Sequence, residues 1–340
     1  MVRFLHICLL VAIPLLAACD RDSRLPEYEL SGNAMGTTFS VLLVAPREDF
    51  QQEQLRSNIA ETIKDIDDLA STWREDSELS RFNATRNSGW IDTSIELCLA
   101  IEHALEISRL TDGAFDITVG PLVNLWGFGP AGDIGEPPAE TALRAVMAEV
   151  GYEGLHTRCD VPAVEKRSGN IYVDLSGWAK GHAVDRVATL LDEHEFRDYL
   201  VEIGGELRVR GHNAEGLKWA VAIEAPSTTK RVPHSVLRVT DTSVATSGDY
   251  RNYFDHDGQH YSHTIDARTG RPVAHALAAV TVVNESAAFA DAMATALLVL
   301  GPSDGPARAE ELGIAAYFLI RNETDIEEIS TTTFDLLRTG

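Results

Sequence analysis

Two hydrophobic rhythms run through residues 38–321, and they are interleaved without a regular order. Leu55, Ile59, Ile63, Ile66 and Leu69 recur at helical spacing over 51–70, and Val184, Val187, Ala188 and Leu191 do so over 177–193. Further helices are predicted over 93–112, 138–150, 287–300 and 303–312. Thr93-Ser94-Ile95-Glu96 reads as a capping box for the first of these; Ser286 and Gly301 bound the third. Short apolar runs predict strands at 38–44, 171–175, 199–203, 206–211, 219–223, 235–239, 261–265, 277–283 and 315–321. Pro130–Pro138 reads as a Gly/Pro loop. Strict βαβ alternation is missing, so an α+β fold is expected, with mixed sheets and packed helices. No linker or internal repeat divides the chain, and residues 30–340 are read as a single domain.

The N-terminus has a separate character. Arg3 precedes an apolar run from Phe4 to Leu16 that is too short to span a bilayer as a stable helix. Small residues and a cysteine follow, as Leu16-Ala17-Ala18-Cys19. This is the layout of an export signal, and it resembles a bacterial lipobox. Residues 1–18 are therefore expected to be a lipoprotein signal peptide, with Cys19 lipidated and 19–29 a polar tether. Asp20 resembles the signal that retains a lipoprotein at the inner membrane, which places the domain on the periplasmic face. Cys98 and Cys159 would then sit in an oxidising compartment that permits a disulfide, although two separate buried thiols are the reading preferred here.

Charge narrows the possible partners. The chain carries 52 acidic and 29 basic residues, a formal net charge of −23. Broad nucleic-acid binding needs a basic face, so that class is excluded. An anionic substrate would need a local cation.

Three groups of residues could supply chemistry. Asp174-Leu175-Ser176-Gly177-Trp178-Ala179-Lys180-Gly181 reads as strand, turn and helix start, where free N–H groups and Lys180 would attract phosphate; an ordinary strand–turn–helix reads the same way. Asp291 and Thr295 fall on one helix face and offer hard oxygen ligands suited to Mg²⁺, or else they cap and brace their own helix. His256, His260 and His263 have a spacing that suggests zinc on a helix, but 255–259 reads as a hairpin turn. His263 is instead a candidate general base, or a hydrogen-bonded structural histidine. Trp73 and Trp126-Gly127-Phe128-Gly129 supply flat rings that serve either a core or a ring-bearing ligand.

Taken in order, these segments resemble the ApbE family of FAD:protein FMN transferases. The resemblance is carried by Gly32–Thr37, Ser71-Thr72-Trp73 with Ser77-Glu78, and Gly113–Thr118 running through Gly120–Val123 to Trp126–Phe128. It continues through Asp174–Gly181 with Ala183–Asp185, Glu202–Glu206, Ala245–Tyr250, Tyr261–His263, Asp266–Gly270 and Ala290–Thr295. It spans about residues 30–301. Trp73 stands where the family often has Tyr, and Ala267 where Pro is frequent.

The resemblance implies that FAD is bound with Mg²⁺ and that a Thr or Ser hydroxyl of a partner protein attacks the FMN-side phosphorus. AMP leaves and FMN stays on the partner as a phosphoester. Acceptors of the family are subunits of NQR- and RNF-type membrane redox complexes. By the same resemblance Met35, Trp73, Ala114, Phe115, Asp116, Asp174 and Lys180 are expected to hold FAD. Asp291, Thr295 and the Gly177 carbonyl are expected to hold the metal, with His263 as the base. A Mg²⁺-dependent FAD pyrophosphatase and a non-catalytic flavin-binding lipoprotein are the alternatives.

Overall fold

The computed structural model describes residues 25–44, 50–130, 135–226, 232–250, 252–322 and 325–339. The segment read as a signal peptide, Cys19, Asp20, most of the segment read as a tether and residues 131–134 of the Gly/Pro loop lie outside the described residues.

The chain opens with a hairpin, β1 (Glu27–Ala34) and β2 (Thr37–Val44), whose first strand begins inside the segment read as tether. Then come α1 (Gln52–Ala70), α2 (Glu78–Ala84), β3 (Gly89–Asp92), α3 (Ile95–Leu110), α4 (Gly120–Leu125) and α5 (Glu140–Met147). They are followed by β4 (Leu155–Arg158), β5 (Ala163–Lys166), α6 (Ser176–Glu193), β6 (Tyr199–Ile203) and β7 (Glu206–Arg210). Next are β8 (Trp219–Glu224), β9 (Pro233–Val239), β10 (Thr242–Gly248), β11 (Tyr253–His256), β12 (Gln259–Ser262), β13 (Ile265–Asp266) and β14 (Arg271–Pro272). The chain closes with β15 (Leu277–Asn284), α7 (Ala287–Glu311), β16 (Ala315–Arg321), β17 (Ile326–Ser330) and α8 (Thr332–Thr339). The fold is α+β, as expected.

An eight-stranded sheet in the order β1-β2-β6-β7-β10-β15-β16-β17 forms the middle layer. Every neighbouring pair in it is antiparallel. Alternation sorts its side chains. Phe39, Val41, Leu43, Tyr199, Val201 and Ile203 face α1 and α6, while Leu42, Leu200 and Val209 face the β8–β9 hairpin and α8. Strand β15 is apolar on both faces because both are covered. A register shift between Leu277 and Ala279 lets Leu277, Val280 and Val282 share the face that packs on α7.

Helix α6 crosses α7 at Gly181, where backbone touches backbone. A Cβ at Gly181 would lie 2.2 Å from the Ala287 carbonyl oxygen. This crossing fixes the helix that carries Gly177 and Lys180 against the helix that carries Asp291 and Thr295.

Several local expectations are corrected. Residues 171–175 form no strand; they pass beside buried Asn83, whose side-chain amide donates to the Val173 carbonyl and accepts from its N–H, both at 2.8 Å. One side chain thus does the work of a neighbouring strand. The strand read at 261–265 breaks at His263 and Thr264, between β12 and β13. The N-cap of α3 is Ser94, which accepts from Leu97 N–H, and the Ser94 N–H itself is taken by Glu78 of α2 rather than by Glu96. Gly301 does end the regular part of α7 at φ 84°, but Pro302 starts a further helical stretch directly after it. Beyond Arg321, where the strand read at 315–321 ends, the chain adds two further elements, β17 and α8.

Cys98 and Cys159 are joined in a disulfide, contrary to the preferred reading of two separate thiols. The β4–β5 hairpin folds back onto α3, which brings residues 61 apart in sequence to a Cα separation of 5.7 Å.

Candidate active site

A cavity of about 530 Å³ opens where the first turns of α6, the inner part of α7, the β6–β7 turn and the loop 113–119 converge. Of the eleven residues expected at the site, ten line it: Trp73, Ala114, Phe115, Asp116, Asp174, Gly177, Lys180, His263, Asp291 and Thr295. Met35 does not. It lies in the β1–β2 turn at φ 46°, against a separate hollow of about 440 Å³ beside α1.

The centre of the cavity is a charge cluster of half-buried Lys180 and two buried carboxylates. Lys180 Nζ lies 2.9 Å from Glu206 Oε1 and 3.5 Å from Asp291 Oδ1. Asp291 Oδ2 accepts from the Gly181 N–H at 3.1 Å, so the carboxylate is held at both ends. Burial opposes the charge on Lys180, but Asp291 and Glu206 outweigh it and hold the ammonium above its ordinary range. Burial pushes the Glu206 carboxyl up; Lys180 offsets part of that, and Asp291 adds to it. Glu206 Oε2 is buried with no hydrogen-bond partner. Glu206 sits just past the Gly204-Gly205 turn, at the end of the Glu202–Glu206 motif. Its role was not legible without the contact to Lys180.

Donors for a hard cation surround this cluster. Thr295 Oγ1 lies 2.9 Å from Ser247 Oγ on β10, which fixes the hydroxyl toward the cavity wall. A Cβ at Gly177 would meet Thr295 Oγ1 at 3.6 Å and the Phe115 ring at 3.1 Å, so the missing side chain keeps the space between the two elements clear. Among the described lining residues are five carboxylates (Asp116, Asp174, Glu206, Glu224 and Asp291) and one lysine. An anionic ligand meets net repulsion there unless a cation enters with it. One carboxylate, one hydroxyl and a backbone carbonyl are oxygen donors that suit Mg²⁺, and the orphaned Glu206 oxygen marks the same demand for positive charge.

The helix start is a poorer anion cradle than its sequence suggests. The Ser176 N–H and hydroxyl both go to Asp174 Oδ1, and the Trp178 and Ala179 N–H groups both donate to the Leu175 carbonyl. Asp116 is likewise occupied. Its Oδ1 accepts from the Thr118 N–H and hydroxyl, and its Oδ2 from the Tyr152 N–H at 3.0 Å. Burial raises its carboxyl against those three bonds. Asp116 therefore shapes the loop that presents Ala114 and Phe115.

His263 hangs at the break between β12 and β13. Its Nδ1 is 3.0 Å from the Asn252 carbonyl oxygen, which can only accept. Nδ1 thus carries the proton, and Nε2 is left as the basic nitrogen. Burial lowers the imidazole below its ordinary value, against the pull of the Asn252 carbonyl, and so favours the neutral form. His256 and His260 do not join it. They lie on the β11–β12 hairpin, which turns at Asp257-Gly258, and their ring nitrogens face Asp257 and Asp255. Among the described residues no group of three or more His, Cys, Asp or Glu could hold a metal ion by itself.

The ApbE family model matches residues 35–318, which takes in every element that builds this cavity. The chain belongs to the ApbE family. Among similar ApbE-family proteins, the FAD:protein FMN transferase of Vibrio cholerae is 39% identical over 325 residues, 96% of each chain. That of Haemophilus influenzae is 38% identical, covering 95% of this chain and 94% of its own. Among solved structures, the flavin transferase ApbE from Vibrio cholerae superposes with a TM-score of 0.85 at 38% identity, covering 92% of this chain and 99% of that one. The apo form of the Pseudomonas stutzeri flavinyl transferase ApbE gives 0.85 at 37% identity, covering 92% and 97%.

Proposed function

We propose that this chain is an FAD:protein FMN transferase that joins FMN to a Thr or Ser hydroxyl of an acceptor protein. The observation that carries this reading is the convergence of a neutral, oriented imidazole with the Lys180–Asp291–Thr295 cluster in one cavity that has an apolar wall. Phe115, Val119, Val123, Phe128 and Ile265 supply that wall for a flat ring system.

The acceptor hydroxyl oxygen forms a bond to the FMN-side phosphorus as the bond to the AMP-side oxygen breaks. Its proton passes to Nε2 of His263, and AMP departs. General-base assistance of this kind is worth roughly 10²- to 10⁴-fold. Mg²⁺, when bound, supplies positive charge at the pyrophosphate. Asp291, Thr295 and the Gly177 carbonyl are the residues that would hold it. Lys180 stands beside them to meet phosphate oxygen. Acceptors of the NQR and RNF type are membrane-bound. A lipid on Cys19 would keep the cavity beside them on the periplasmic face of the inner membrane and raise the effective concentration of the pair.

Intact-mass measurement of an acceptor subunit after incubation with FAD and Mg²⁺ tests the reading. A gain equal to one FMN phosphoester, with AMP released in equal amount, is expected. AMP release with an unmodified acceptor would make the protein a pyrophosphatase, and FAD bound without AMP release would make it a carrier.

A further inference from the structure

The ammonium of Lys180 is shared unequally. It lies closer to Glu206 (2.9 Å) than to Asp291 (3.5 Å), although both carboxylates are buried and both face the same cavity. Asp291 is already turned by the Gly181 N–H, which holds Oδ2 and leaves Oδ1 toward the lysine. Glu206 gains little for the fold from its place. One of its oxygens is spent on Lys180 and the other is buried without a donor, an arrangement that an apolar side chain would avoid. Its one strong contact is the lysine.

We propose that Glu206 is a positioning residue that draws Lys180 away from Asp291 and so keeps the Asp291 carboxylate available to a divalent cation. The proposal rests on the reading of Asp291 as a cation ligand. Without Glu206, Asp291 would be the one carboxylate left in an ion pair with Nζ among the described residues, and lysine and cation would compete for the same oxygen. The same pull aims the ammonium at the β6–β7 turn. There the absence of a side chain on Gly204 leaves room for the lysine stem, since a Cβ at that position would lie 3.3 Å from Lys180 Cδ.

The test is a double-mutant cycle read by Mn²⁺ binding, followed by the electron paramagnetic resonance signal of free Mn²⁺ on the intact chain without FAD. Glu206→Gln is expected to weaken Mn²⁺ binding at least about tenfold. In a Lys180→Met background the same change is expected to alter it less than about threefold, because the competitor is gone. An equal factor in both backgrounds would show that Glu206 acts only as a charge, and parent-like affinity of Glu206→Gln would remove it altogether; either result overturns the proposal. Should a variant fail to fold, Glu206→Asp keeps the charge while withdrawing it by one methylene. It is expected to weaken Mn²⁺ binding as Glu206→Gln does, and an unchanged affinity overturns the proposal. Asp291→Ala separates the two levels of the argument. If it binds Mn²⁺ like the parent, the reading of the cation site fails. If it loses Mn²⁺ while binding is insensitive to Glu206, only the role of Glu206 fails.

Discussion

Replacing Gly181 by Ala should damage both stability and the site, although helix propensity alone favours the change by about 1 kcal/mol. The added Cβ would stand 2.2 Å from the Ala287 oxygen, 2.5 Å from its carbonyl carbon and 2.7 Å from the Ala288 Cα. Ordinary carbon contacts begin near about 3.5 Å, so α6 and α7 must part by roughly 1 Å. The obstructing atoms are backbone and cannot rotate away. Overpacking of this kind costs about 1–3 kcal/mol, and immovable neighbours put this case at the upper end. A net loss of about 2 kcal/mol remains after the propensity gain. At a urea m-value of about 3 kcal/mol/M that lowers the unfolding midpoint by roughly 0.7 M. The same parting separates Gly177 and Lys180 from Asp291 and Thr295, and a misplacement of about 1 Å can cost about 10²-fold in rate. Urea unfolding followed by far-UV circular dichroism and single-turnover FMN transfer read by intact mass measure the two effects. A variant as stable as the parent or more so would show that the helices have slack at Gly181, and the argument from close approach would be wrong.

His263→Ala should still bind FAD but transfer FMN about 10²-fold more slowly in a single turnover, and a rate within threefold of the parent would remove it from the mechanism. Because burial lowers this imidazole, its neutral, basic form persists to lower pH than that of a free histidine. The acid limb of the single-turnover rate is therefore expected below pH of about 6.5, and a midpoint above 7 would contradict the assignment. Replacing Cys98 and Cys159 together by Ser should cost about 4 kcal/mol of stability, from the chain entropy of a loop closed over 61 residues; a urea-derived loss under about 1 kcal/mol would refute that figure. Cys19→Ala should move the protein from the membrane fraction to a soluble or unprocessed form, and unchanged lipid labelling would overturn the anchor.

The sequence revealed what repeats locally and missed what is closed by long-range contact. Helices α1 and α6 are legible because each carries several turns of one apolar face, α3 and α7 because their ends are marked by Ser94, Ser286 and Gly301, and the strand pair β6–β7 because Gly204-Gly205 punctuates it. The segment before α6 reads as a strand because Ile171 and Val173 are buried in strand-like alternation; that an asparagine 90 residues away takes the place of a neighbouring strand leaves no local trace. The disulfide is hidden for the same reason, since it depends on how the β4–β5 hairpin folds back onto α3. At the site, ordered motifs named most of the lining residues, but motif reading gave them roles one by one. Geometry redistributes those roles: the Asp116 oxygens are spent on its own loop, Met35 lines another hollow, and Glu206 shares the lysine assigned to phosphate.

Trp73 is 67% exposed at the cavity, whereas Trp126, Trp178 and Trp219 are each under 5% exposed and Trp90 lies beneath the Arg158 guanidinium. The molecule therefore carries an intrinsic optical reporter whose signal separates by environment. Emission from the three interior indoles should be blue and shielded from acrylamide, and that of Trp73 and of Trp90, which is 46% exposed, should be red-shifted and open to collisional quenching. A flavin entering the cavity would extinguish the Trp73 part of the red component by contact, because Trp73 lines the cavity and Trp90 does not. Ligand arrival could then be timed in a stopped-flow instrument without any label.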